Sequence, residues 1–83
     1  MTDGPGHQTR YIVQPYLRGA RGRLGNGQAE MFETEARARR RASAAFEGGA
    51  AGVQVVRQSG VAELGDYDEP MILMTLGEVP ASD

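Results

Sequence analysis

One segment constrains this chain more than any other. Residues 34–47 are good helix formers with no proline among them, and Gly48-Gly49 follows directly. Alanine and arginine both favour the helix. Thr34 stands where an N-cap is wanted, with Glu35 in the first turn where the helix dipole favours an anion. The glycine pair ends the helix, since glycine readily takes the left-handed conformation just past a C-terminus. Within the segment Ala38, Ala42 and Ala45 recur at i, i+4 and i+7, with Phe46 beside them, and make the stripe to be buried. Side chains that small let a helix sit close to a sheet. Arg39, Arg40 and Arg41 fall on the outer face and the later turns.

Everything else with a pattern reads as strand. Residues 9–17 are rich in β-branched and aromatic side chains, with Tyr11, Val13, Pro15 and Leu17 on one face and Ile12, Gln14 and Tyr16 on the other. Pro15 cannot donate to a ladder, so it marks an edge, a bulge or the end of pairing. Residues 18–27 hold four glycines, three arginines and Asn26 and read as a flexible turn region. Residues 28–33 alternate as a short second strand would, with an irregular lead-in to the helix as the other reading. Residues 52–57 alternate at Val53 and Val55. Residues 59–70 read as a long acidic connection, and residues 71–76 as a last strand with both faces apolar. The expected fold is α+β: an antiparallel or mixed sheet of three to four strands with one helix on one face, in the order β-(β)-α-β-β. Residues 1–8 read as a disordered tail, 9–80 as the single domain and 81–83 as a second tail.

Eighty-three residues make one domain, with room for a single hydrophobic core. Cysteine is absent, so neither a disulfide nor a thiolate metal site supplements that core. The longest apolar run is far short of the ~20 residues of a membrane span. The N-terminal residues lack a basic stretch followed by an apolar one. The expected compartment is the cytoplasm, with no membrane partner. The net charge of −2 argues against a generalised nucleic-acid binder. All nine cationic side chains are arginine, a bias that GC-rich bacterial coding produces on its own.

Few residues invite a chemical role. His7 is the sole histidine and has no positioned partner for general-base work. Asp66, Asp68 and Glu69 share the spacing of the start of a calcium loop but lack its later glycine and distal glutamate. Gly19, Gly22, Gly25 and Gly27 lie among arginines, yet the spacing matches neither a Walker loop nor a dinucleotide fingerprint. The serines sit in no nucleophile elbow. No catalytic residue, metal ligand or cofactor-binding residue is therefore assigned, and the chain reads as non-enzymatic. Two surfaces remain. Arg18, Arg21, Arg23, Arg37, Arg40 and Arg41 form a basic loop-and-helix half, opposed by an acidic half after Glu47. A single helix also leaves one sheet face open, where Ile12, Tyr16, Met71 and Leu73 are candidates for self-association.

The stretch Arg10-Tyr11-Ile12-Val13-Gln14-Pro15-Tyr16, the run from Ala50 through Gly60, and the segment from Gly65-Asp66-Tyr67-Asp68-Glu69-Pro70 to Gly77-Glu78-Val79-Pro80 resemble a family of short uncharacterised bacterial proteins, mostly proteobacterial. The resemblance implies a single domain and supplies no site residues. Tyr11-Ile12-Val13-Gln14 and the helix are also similar to half of a SPOR peptidoglycan-binding domain, whose second helix and repeated half this chain lacks. The functional expectation is a small protein-interaction module that pairs with an unknown protein or with itself as a homodimer. The alternative is a nucleic-acid or polyanion binder using the arginines.

Overall fold

A computed structural model of the chain describes residues 7–61 and 64–80. Of the residues read above as tails, 1–6 and 81–83 lie outside the described residues, whereas His7 and Gln8 belong to the first strand. Six strands and one helix follow one another as β1 (His7–Arg18), β2 (Leu24–Asn26), β3 (Glu30–Phe32), α1 (Glu35–Glu47), β4 (Gly52–Val61), β5 (Asp66–Tyr67) and β6 (Met71–Gly77). All pairings are antiparallel. The α+β class expected from the sequence is what is found, with more strands than three to four. Those six strands occupy four columns. β1 and β4 form the middle, β2 and β3 share the outer edge of β1, and β5 and β6 share the outer edge of β4.

The β1–β4 ladder is the longest, pairing every residue from His7 opposite Val61 to Tyr16 opposite Gly52. β1 thus begins two residues before the apolar pattern does. Directly opposed residues of an antiparallel pair point to the same side of the sheet. Val13 faces Val55, and Pro15 faces Val53, toward the helix. Val13, Val53 and Val55 are fully buried together with Ala38 and Ala42, while Tyr11, Phe32, Ala45, Ala50, Leu73 and Met74 pack around them. Phe46 stays 39% exposed at the end of the alanine stripe. The fully buried part of the core is therefore three valines and two alanines.

Both ends of the helix are closed by local chemistry. Thr34 Oγ1 accepts a hydrogen bond from the Arg37 amide at 3.3 Å. At the other end the Gly49 amide donates to the Phe46 carbonyl and the Ala50 amide to the Ala45 carbonyl, with Gly49 at φ 117°. That pair of bonds is the Schellman arrangement, which needs glycine at the left-handed position.

Each outer column contains bulges. Between Tyr16 opposite Asn26 and Val13 opposite Glu30, three residues are added on the outer column for two on β1. The break falls at Gln14-Pro15, where proline has no amide to offer. Gln14 Nε2 fills the gap by donating to the carbonyls of Pro15 at 2.8 Å and Gly27 at 3.0 Å. The segment read as a flexible turn region is thus a closed hairpin, in which Gly19–Arg23 turns the chain and Leu24–Asn26 pairs back on β1. The second strand expected over 28–33 is present as Glu30–Phe32. The expected acidic connection over 59–70 is in part sheet: β4 continues to Val61, and Asp66–Tyr67 pair with it.

Gly52 is buried at the end of the β1–β4 ladder, opposite Tyr16. A methyl group on its Cα would run into the Glu78 backbone, whereas one on Gly25 would meet nothing. Gly52→Ala is expected to cost about 1–3 kcal/mol by overpacking. At ~4–8 °C per kcal/mol for a domain of this length, thermal unfolding followed by circular dichroism will resolve it. Gly25→Ala, the control, should stay within about 0.5 kcal/mol of the parent.

Candidate functional site

The sheet is two-sided, and among the described residues only one side is covered. On the side away from the helix, register places Met31 opposite Ile12, Ile12 opposite Val56, and Val56 opposite Ile72. These four residues form one apolar row crossing all four columns. Met31 is 63% exposed and Ile72 is 56% exposed. Uncharged polar residues border the row on one side, where Gln14, Gln54 and Thr75 stand opposite one another. Beyond them the Tyr16 hydroxyl donates to Gln54 Oε1 at 3.3 Å. On the other side Arg10 stands opposite Gln58, and its Nη2 donates to Gln8 Oε1 at 2.7 Å.

A groove of about 260 Å³ opens in the same face beside Ile12 and Met31. Gly60 forms part of its floor, and Tyr67 stands over it as a wall, 55% exposed. Gly60 is held to this role by space, since a methyl group there would strike the backbone of Asp66 and Tyr67. Among the described residues no carboxylate lines the groove; Gln8, Arg10 and Gln58 supply its polar edge.

The residues proposed from sequence for self-association divide between the two faces. Ile12 and Tyr16 lie on the open face. Leu73 does not: it packs against the helix-side core. The reason is a bulge. Val55 stands opposite Met74 and Val56 opposite Ile72, so Leu73 is the extra residue and joins Met74 on the helix side. Met71 stands opposite Arg57 and takes its guanidinium against Sδ at 3.5 Å, on the helix side of the sheet. Met31 and Ile72, the most exposed members of the apolar row, were absent from the sequence-derived set. Strict alternation along residues 71–76 hides the bulge that turns Ile72 outward.

The arginines also divide. Arg18 pairs with Glu78 and lies with Arg21 and Arg23 at the β1–β2 turn, where Arg21 takes φ 63°. Arg39 pairs with Glu35 at 2.6 Å on the flank of α1 nearest β6, and its Nη2 reaches the Leu73 carbonyl at 3.4 Å. Arg37, Arg40 and Arg41 lie on the opposite flank, and Arg41 Nε donates to Glu30 Oε1 at 2.7 Å. The six arginines of the basic half are therefore not one surface. In the acidic segment, the Asp68 amide donates to the Ser59 carbonyl and Gln58 Nε2 to the Asp68 carbonyl, both as backbone bracing for the β4–β5 turn. Among the described residues, no three His, Cys, Asp or Glu side chains gather closely enough to hold a metal ion. The His7 side chain lies outside the described ones. No helix among the described residues is long and apolar enough to cross a membrane.

No family model, curated protein or solved structure matches this chain, so geometry alone carries the functional argument.

The sidedness of β6 has a direct test. Leu73→Ala should lower stability by about 1–2 kcal/mol, below the ~2–5 kcal/mol of a fully enclosed leucine. Ile72→Ala, in dilute protein, should change it by less than about 0.5 kcal/mol. Urea titrations of the two variants against the parent provide the comparison.

Proposed function

We propose that the chain is a small non-enzymatic interaction module whose open sheet face binds a second copy of itself. The observation that carries this is the row Met31, Ile12, Val56 and Ile72, apolar across the full width of the sheet and uncovered by any of the described residues. A monomer that exposes such a row loses the hydrophobic stabilisation of covering it, at roughly 25 cal/mol per Å². The covered core of three valines and two alanines is small, so a second apolar layer adds to it in proportion.

Size and the polar border suit a second copy. The twelve residues of β1 span ~40 Å and four columns span ~14 Å, a face of roughly 560 Å² before side-chain relief is counted. A standard interface takes ~800 Å² from each partner. On the side of Gln14, Gln54, Thr75 and Tyr16 the row is bordered by groups that donate and accept alike, so a twofold copy meets neutral groups with neutral groups there; on the other side stands Arg10, whose guanidinium donates to Gln8. A twofold axis along the strands would lay Met31 of one copy over Ile72 of the other.

Sedimentation equilibrium at high micromolar concentration should return twice the 8.9 kDa chain mass, with little dependence on salt. Ile72→Asp or Met31→Asp should return the chain mass with an unchanged far-ultraviolet spectrum. Met71→Asp, on the other side of the sheet, should leave the dimer in place. A parent protein that sediments at the chain mass throughout that range excludes self-association by this face.

A further inference from the structure

The flank of α1 nearest β3 carries a second surface, independent of the open face. Arg37, Arg40, Arg41 and Ala44 follow the i, i+3, i+4, i+7 spacing of one helical stripe, whose centre lies more than a quarter-turn from that of the buried alanines. With Phe32 of β3 they line an open groove of about 410 Å³. Among the described residues that line it, three of five are guanidinium-bearing, one is aromatic and none is acidic.

The charges in that groove are not balanced from within the described structure. Glu30 engages Arg41 through Nε alone, which leaves both terminal nitrogens of that guanidinium as donors. Among the described residues, Arg37 and Arg40 have no ion-pair partner. Glu35, the nearest acidic residue in sequence, pairs with Arg39, and Glu33 lines a different hollow with Gln8, Thr9 and Arg10. Like charges at i and i+4, here Arg37 and Arg41, repel one another on a helix. An anion between them removes that repulsion, and the planar guanidinium fork favours the paired oxygens of a phosphate. Ala44 keeps the end of the stripe low. Phe32 is half-buried at the base and offers an apolar aromatic surface of the kind on which a base stacks.

We infer that this groove binds a nucleoside phosphate, with Arg37, Arg40 and the free end of Arg41 on the phosphate and Phe32 against the base. The volume is of the order that holds one small ligand rather than a duplex. A free mononucleotide and one unit of a single strand present the same chemistry to it. Of the arginines in the basic half of the sequence, only these three are involved; Arg18, Arg21 and Arg23 lie at the β1–β2 turn and take no part.

Fluorescence anisotropy of a labelled ten-residue oligothymidine, titrated with the full chain at low salt, tests this. The expected result is saturable binding that weakens as salt rises, with a log–log slope of about −1.4 to −2 for two to three phosphate contacts on a single strand. Arg37→Gln with Arg40→Gln, both exposed and outside the core, should weaken binding at least tenfold while the spectrum and melting temperature hold. Arg21→Gln with Arg23→Gln should not weaken it. Competition by adenosine monophosphate assigns a free nucleotide as ligand; binding of the oligomer without such competition assigns a single strand. Competition by inorganic phosphate as effective as by the nucleotide overturns the role of Phe32. Absence of binding, or binding indifferent to the Arg37/Arg40 double variant, overturns the site.

Discussion

The ladder between β1 and β4 is the interaction on which the rest of the structure depends. It sets Val13 against Val55 at the centre of the sheet, and both become inaccessible only when Ala38 and Ala42 close over them. The alanines matter because they are small. They let α1 approach the sheet closely, and Tyr11, Phe32, Leu73 and Met74 then close the margins. Outer columns add to this unit rather than define it: β3 through Phe32 opposite Tyr11, β6 through Met74 opposite Val55. A perturbation of the ladder, as at Gly52, therefore reaches every layer.

The same ladder creates the two-sidedness of the molecule. Ten paired residues on a pleated strand send alternate side chains to opposite faces, and one helix covers only one of them. The molecule is correspondingly thin, with principal extents of 48, 26 and 17 Å. The bulges decide what the open side presents. By taking up Leu73 as an extra residue, β6 sends two consecutive apolar side chains to the core and turns Ile72 into line with Val56, Ile12 and Met31. The apolar row is thus a product of a local irregularity laid on a regular sheet.

How much of this was legible in the sequence depended on whether the cause was local. The helix, its Thr34 cap, its glycine stop and the burial of Ala38 and Ala42 follow from spacing and propensity within a dozen residues. So do β1, the Val53–Val55 alternation and the last strand. β2 and β5 were not legible, because strands of three and two residues are imposed by a neighbour and leave no period to count. The facing of Ile72 and Leu73 was hidden for the same reason: alternation along a strand assumes unbroken register. Arg41 and Glu30 lie eleven positions apart, and only the fold brings them together and separates Arg37 and Arg40 from the arginines of the β1–β2 turn.

The central claim is that the open face is covered by a second copy. Isotope-filtered nuclear Overhauser spectroscopy on a mixture of methyl-labelled and unlabelled protein reads that contact directly. The account predicts cross-copy contacts that join the methyl groups of Met31 and Ile72. Methyls of Met31, Ile12 and Ile72 that show no cross-copy contact, and that a soluble paramagnetic probe relaxes as fully as it does exposed Leu64, would contradict it.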